Sequence, residues 1–251
     1  MFMSIIKFFQ SILNFFGIRV SRFMQAQNMI FTNLHTKKIK KNSIIFDVGA
    51  NVGTITDKFL TELSPQSIHA FEPNDEAFKI LQTKFFNNKK IVLNNFALGE
   101  KKTTKKLNYT LKSGNSSFNN LNLKSKWINE KASTYKVKPN QYAFTKKVSK
   151  IITIDDYVKK NKIKKIDLMK IDTQGFEENI LKGSRNSLKK IIKNIELEIM
   201  LDDCYEVNMS FYKIEKILNP LNFKLIGLYS NKRDIFEKSN FGAYAFYTKE
   251  N

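Results

Sequence analysis

The stretch Ser43–Thr54, S-I-I-F-D-V-G-A-N-V-G-T, constrains this chain more than any other. Ile44, Ile45 and Phe46 form a short apolar run of β-rich composition, the pattern of a buried strand. The run ends in an acid, Asp47, and leads into a turn carrying Gly49 and Gly53. Asn51 lies between the two glycines, and Asn is the commonest non-glycine residue in left-handed backbone. Thr54–Leu63 then has a helical composition. Strand, glycine turn and helix in that order open a Rossmann-like nucleotide-binding sheet.

The turn is not the G-x-G-x-x-G fingerprint, in which a helix N-terminus holds an anionic pyrophosphate. Asp47 stands just before the first glycine, and an Asn replaces the next one. A carboxylate there repels phosphate and suits a cationic ligand. S-adenosylmethionine, with its sulfonium and its amino group, fits. A second acid supports this. Ser67–Pro73, S-I-H-A-F-E-P, reads as another short strand, ending in Glu72. An acid at that strand end, roughly 20 residues past the glycine turn, is placed to accept hydrogen bonds from ribose hydroxyls. The expected cofactor residues are therefore Asp47, Gly49, Ala50, Asn51, Gly53 and Glu72. Asn95 and Ala97, after a third strand at Lys90–Asn95, either lie beside the adenine or serve plain packing.

The remaining chain alternates. Helices are expected at Asn74–Phe86, capped by Asn74, at Ile154–Lys160, at Phe176–Lys190 and at Ser210–Leu218, where Asn219-Pro220 stops the last one. Strands are expected at Ile166–Ile171, Asn194–Leu201, Asn222–Tyr229 and Gly242–Thr248. This alternation gives an α/β fold that closes with a strand pair. Residues 101–150 break the rhythm. They are rich in Lys, Asn, Ser and Thr, with β-like pieces at Thr103–Leu111 and Lys146–Thr153. Such an insertion reads as a substrate-facing cover or as a disordered surface excursion.

Residues 1–30 form a separate N-terminal segment ahead of one domain at 31–251. Ile5, Phe8, Phe9, Ile12, Leu13 and Phe16 follow helical spacing, but Lys7, Gln10, Ser11 and Asn14 interrupt the run. It is too short and too polar to span a bilayer. Two readings stay open. The helix packs its Phe face on the domain or on a second subunit, or residues 1–22 lie on a membrane with help from Lys7, Arg19 and Arg22. No small-residue cleavage site follows, so no cleaved signal peptide is expected.

The formal net charge is +20, which raises the question of polyanionic partners. The excess is almost all Lys, whereas base readers employ Arg, found here only at Arg19, Arg22, Arg185 and Arg233. The chain also lacks an N-P-P-Y-like loop and a P-C nucleophile motif. No nucleic-acid partner is therefore expected. Cys204, the sole cysteine, supports neither a disulfide nor a thiolate metal site, and His35 and His69 lack metal-ligand spacing. No metal is expected, and a reducing cytoplasmic setting is the default.

In open α/β sheets the chemistry sits beyond the carboxyl ends of the strands. The acids there are Asp47, Glu72, Asp172 and Glu198, with Glu177 one turn further on. Methyl transfer to an alcohol needs an oriented oxygen and a base for its proton. Asp172 is the first candidate for that base, followed by Glu177 and Glu198. Asp172 could equally bind the methionine amino group or cap a helix. His69 and Glu196 are read as packing residues, the latter paired with a Lys.

These residues together resemble the FkbM-type methyltransferases. The resemblance rests on F-D-V-G-A-N-V-G at Phe46–Gly53, A-F-E-P at Ala70–Pro73, N-F-A-L-G at Asn95–Gly99 and N-S-S-F at Asn115–Phe118. It continues through I-T-I-D-D-Y at Ile152–Tyr157, K-I-D-T-Q-G-F-E at Lys170–Glu177, and Glu198 followed by Tyr205. It implies a seven-stranded Rossmann-like methyltransferase sheet, mostly parallel with an antiparallel final strand. It also implies S-adenosylmethionine as methyl donor and O-methylation of a sugar or secondary metabolite. The expected substrate is a bacterial surface glycan or glycolipid, handled in the cytoplasm or at the inner membrane face; the alternatives are a nucleic-acid methyltransferase and a non-catalytic scaffold that binds the cofactor. Gln174 stands where family members often carry Glu, which weakens any metal-binding role there.

Overall fold

The computed structural model describes residues 34–201, 203–207, 210–229 and 242–250. The amphipathic segment at 1–30 lies outside them. Residues 34–38 are helical. The chain then runs through β1 (Ile44–Val48), α1 (Thr54–Leu63), β2 (Ser67–Phe71), α2 (Asp75–Lys84) and β3 (Ile91–Asn94). Next come β4 (Ala97–Leu98), β5 (Thr103–Thr110), α3 (Lys126–Thr134), β6 (Ala143–Ile152) and α4 (Ile154–Lys160). It ends with β7 (Leu168–Ile171), α5 (Glu177–Lys182), α6 (Arg185–Lys190), β8 (Asn194–Met200), α7 (Phe211–Leu218), β9 (Phe223–Tyr229) and β10 (Gly242–Lys249).

The main sheet has seven strands in the order β3-β2-β1-β7-β8-β10-β9. Strand pairs from β3 to β8 are parallel, and β10 runs antiparallel to both of its neighbours. This is the sheet that the resemblance implies. Helices cover both faces, so β7 is buried throughout and β1 is buried from Ile45 on, as parallel strands are. Alternate side chains enter two separate cores. Phe46, Val48, Met169, Ile171, Ile195 and Leu197 share one core, while Ile45, Ile68, Leu168, Phe59 of α1 and Phe246 of β10 share the other.

Local signals hold where they are strongest. Asn74 caps α2, its side-chain oxygen accepting from the amides of Glu76 (3.0 Å) and Ala77 (3.2 Å). The helix expected across Phe176–Lys190 is instead two helices, α5 and α6, parted at Gly183-Ser184. The cause is not local. A Cβ at Gly183 would lie 2.0 Å from the carbonyl oxygen of Gly99, so two backbones pass in contact there.

The polar segment at 101–150 is folded, which overturns its reading as a disordered excursion. β5 pairs antiparallel with β6 and β4 pairs parallel with β6, forming a second, three-stranded sheet. Between β5 and β6, α3 starts at its Ser125 cap and buries Trp127 against Tyr142 and Tyr205. The polar residues Thr145, Lys146, Lys147, Ser149 and Lys150 break any apolar alternation and hid this strand's true extent, since it begins at Ala143 and not near Lys146.

No helix among the described residues is long and apolar enough to cross a membrane.

Gly49 joins β1 to the neighbouring strand ends. Its amide donates to the Phe71 carbonyl at 3.0 Å, its φ is +82°, and a Cβ there would lie 1.9 Å from the Asp172 carbonyl oxygen. A side chain must therefore push the β1 and β7 ends apart and strain the turn as well. Gly49→Ala is expected to destabilise the fold by about 3 kcal/mol or more, read as a lowered urea midpoint.

Candidate active site

A cleft of about 530 Å³, counting its open mouth, lies beyond the carboxyl ends of β1, β2 and β7. Gly49, Asn51, Glu72 and Asp172 form its sheet side, and Ser113, Ser116 and Phe118 reach it from the small sheet and its loops.

The glycine turn builds one wall. Asn51 is left-handed, with φ 48°, as its residue type suggests. Its amide donates to Glu72 Oε2 at 2.7 Å, and the Asn74 amide donates to Glu72 Oε1 at 2.7 Å. Both carboxyl oxygens are thus fixed by backbone. Burial nevertheless pushes the Glu72 carboxyl up to about 7, outweighing these two donors. The Ser113 hydroxyl donates to Asn51 Oδ1 at 2.8 Å, and Asn74 Nδ2 donates to Ser116 Oγ at 3.2 Å. The segment between β5 and β6 is therefore tied to both acid-bearing turns.

Asp47 is placed differently from Glu72. Its side chain is fully buried and does not line the cleft. It accepts from the Thr56 hydroxyl of α1 at 2.6 Å and faces the Lys170 ammonium at 3.5 Å. Lys170 also faces Asp172 Oδ2 at 3.4 Å. Burial alone would lower the Lys170 ammonium, but Asp172 and Asp47 outweigh it and hold the ammonium above its usual range. Ala50 is a buried core residue, Gly53 caps α1, Ala97 lines the cleft, and Asn95 donates from Nδ2 to the Glu72 carbonyl at 3.0 Å.

Asp172 is the acid that reaches the cleft from β7. Tyr244 of β10 donates to its Oδ2 at 3.0 Å, and Gln174 Nε2 donates to its Oδ1 at 3.0 Å. Burial opposes its charge, yet Lys170 and these donors hold it below the ordinary carboxyl value. Glu198 lies within hydrogen-bonding reach of Asp172 and accepts from Gln174 Nε2 at 2.6 Å. Burial and the Asp172 charge push Glu198 well up. The structure thus brings Asp172 and Glu198 together and sets Glu72 across the same cleft.

Glu177 is fully buried beneath the loop that follows β7 and does not line the cleft. Its Oε1 accepts from the Thr173 amide (2.8 Å), the Thr173 hydroxyl (3.0 Å) and the Gly175 amide (3.4 Å). Burial pushes it up to about 7. Glu196 pairs with His35 Nε2 at 2.7 Å and with the Tyr229 hydroxyl, where a Lys was expected. His69 is a packing residue against Tyr157, and burial lowers it to about 4. Gln174, Tyr244, Lys170 and Ser113 are the neighbours of the site acids that sequence reasoning did not select. Two of them carried a signal: Lys170 as a cation inside the apolar run of β7, and Gln174 as a departure from the family pattern.

A group with a folded pKa near 7 and an unfolded value of 4.5 binds more protons when folded. Its favourable contribution is complete below about 4.5 and is lost as pH rises through about 7. Glu177→Gln removes that loss. Between pH 5 and 8 the variant should shed less urea stability than the parent, by up to about 3 kcal/mol, measured as unfolding free energy at each pH.

Residues 47–225 match the family model Methyltransferase FkbM domain. No curated protein matches the chain. Among solved structures, it is similar to the FkbM methyltransferase of Methylobacillus flagellatus KT, at 14% identity and a TM-score of 0.52. The alignment covers 82% of this chain and 44% of that one, so this chain spans less than half the length of that relative. An rRNA methylase from Streptococcus thermophilus aligns over 92% of this chain and 99% of its own, at 12% identity and a TM-score of 0.48. TrmK of M. capricolum, solved with S-adenosyl-homocysteine, aligns over 88% and 68%, at 14% identity and a TM-score of 0.49. Several such neighbours are RNA methylases. The expectation that excluded nucleic acid as a partner is corrected: with RNA methylases named among the neighbours, the exclusion does not hold. The family match covers most of the chain, including the glycine turn, both acid-bearing strand ends and the loop after β7: the chain belongs to the FkbM methyltransferase family.

Proposed function

We propose that this chain is an S-adenosylmethionine-dependent O-methyltransferase that modifies a sugar hydroxyl in a bacterial surface glycan or glycolipid. One observation carries the reading: Glu72 and Asp172, carboxyls of different environment, face a single cleft on either side of the glycine turn. Neutral or singly charged acids around the cleft suit an adenosine-bearing cation. Glu72 accepts from the ribose diol, in addition to its two backbone donors. Gly49 and Asn51 present backbone to the same ligand. Asp47 acts from beneath, bracing the turn through Thr56 and Lys170.

Bound in this cleft, S-adenosylmethionine supplies an electrophilic methyl group on its sulfonium. The chain's own part is to orient the acceptor hydroxyl and to remove its proton. Asp172 is suited to that step because it is held ionised and lines the cleft. A neighbouring groove of about 690 Å³, counting its mouth, adjoins the cleft through their shared Phe118. Asn108, Asn119, Asn120 and three lysines line it, a surface rich in groups for sugar hydroxyls.

Ribose hydroxyls favour the ionised form of Glu72. S-adenosylhomocysteine affinity should therefore fall as pH drops from 8 to 6, because Glu72 takes up a proton near 7. Calorimetry with Glu72→Gln should show about tenfold weaker binding and a flattened pH dependence. Asp172→Asn should bind S-adenosylhomocysteine almost as well as the parent. Its transfer of labelled methyl to fractionated cell-surface glycans should be about 10²–10⁴-fold slower. Lost binding with undiminished transfer per bound enzyme removes Asp172 as the base.

A further inference from the structure

We propose that Gln174 is a positioning residue, joining Asp172 to Glu198 as one acid pair that holds a single proton, on Glu198, and leaves Asp172 as the open carboxylate. The proposal rests on the reading of Asp172 as the base and concerns how the chain keeps that base ready.

Gln174 is held in a left-handed conformation, φ 55°, which a non-glycine residue adopts only when its surroundings insist. Every polar atom of its side chain is engaged. Nε2 donates to Asp172 Oδ1 at 3.0 Å and to Glu198 Oε2 at 2.6 Å. Oε1 accepts from the Tyr205 hydroxyl at 3.0 Å, which fixes which end of the amide faces the acids. The backbone carbonyl accepts from the Ser117 hydroxyl at 2.6 Å. Gln174 therefore connects the ends of β7 and β8 with the loop that follows β5.

Two ionised carboxylates cannot share so small a buried space, so one of the pair retains a proton. The donors decide which. Asp172 accepts from Gln174 and from the Tyr244 hydroxyl, both at 3.0 Å, and is ion-paired with the Lys170 ammonium at 3.4 Å. Glu198 accepts from Gln174. The other titratable groups facing the pair are Glu177 from beneath the loop and Tyr205, while Asp47 from β1 and Glu196 from β8 face Lys170. The carboxylates among them add repulsion without selecting Asp172 for protonation, because Lys170 stands nearest to it. Burial and the Asp172 charge push Glu198 up, in the same direction.

The residue type is also specific. One amide nitrogen carries two N–H groups and can donate to both acids at once, whereas a carboxyl here would donate at most one and add charge. Of the pair, only Asp172 lines the cleft, so the open carboxylate is the one that meets an acceptor.

The test is a carboxyl-carbon NMR titration of the full chain labelled at Asp and Glu, with Asp172→Asn and Glu198→Gln used for assignment. The expected result is Glu198 protonated at pH 7 and Asp172 ionised down to a pH below the ordinary Asp value. In Gln174→Glu, Asp172 should titrate about one pH unit higher, and the acid limb of the methyl-transfer rate should move with it. S-adenosylhomocysteine affinity should stay within about twofold. A purely structural role would instead lower the rate by one factor at every pH. An ionised Glu198 at pH 7 in the parent, or a stationary acid limb in Gln174→Glu, overturns the proposal. If the parent neither binds S-adenosylhomocysteine nor transfers methyl, the functional reading falls alone, and the titration still decides the protonation of the pair.

Discussion

The Lys170 ammonium is the contact on which the rest of the structure depends. It sits in a strand that is buried on both faces, between Asp47 at 3.5 Å and Asp172 at 3.4 Å. Isolating such a charge would cost several kcal/mol. The register supplies its partners. Asp47 lies opposite Lys170 across β1 and β7, and Lys170 lies opposite Glu196 across β7 and β8. A slip of β7 by one residue would turn Lys170 away from Asp47 and into the apolar core of Phe46, Met169 and Leu197. The charges thus select one alignment of the central strands, and hydrophobic burial stabilises the alignment selected.

That same row explains why the site acids differ. Asp172, beside the ammonium, stays ionised, while Glu72, further along the strand ends and held by two backbone amides, is raised by burial to about 7. Glu198 is pushed well up by burial and by the Asp172 charge beside it. One cation placed off-centre therefore grades the acids around the cleft.

What could be read from the sequence was what is encoded locally. The strand, glycine turn and helix at Ser43–Leu63, the left-handed Asn51 and the Asn74 cap depend on residues within a few positions of one another. Glu72 was legible because its spacing from the turn follows from one βαβ unit. The rest depends on pairing between distant strands. Asp47 was expected to face the ligand, but its side chain is turned beneath the glycine turn to meet Lys170. The break between α5 and α6 reflects the Gly99 backbone, which no helical periodicity records. Glu177, an exposed-looking acid at a helix start, is buried because the Thr173–Gly175 loop folds over it. Gln174 stood out only as a departure from the family pattern, and its partners emerge only when β7 and β8 are side by side.

The pairing of β5 with β6 has one more consequence. The chain leaves the main domain along β5 and comes back beside it along β6, with Thr110 opposite Ala143 at the far end. Whatever lies between those two residues is a closed excursion whose ends are already adjacent. Lengthening it adds only a slowly growing loop-closure penalty, about 0.6 kcal/mol per doubling. Evolution can therefore rewrite the part of this protein that overhangs the cleft while the sheet that holds the acids goes unchanged.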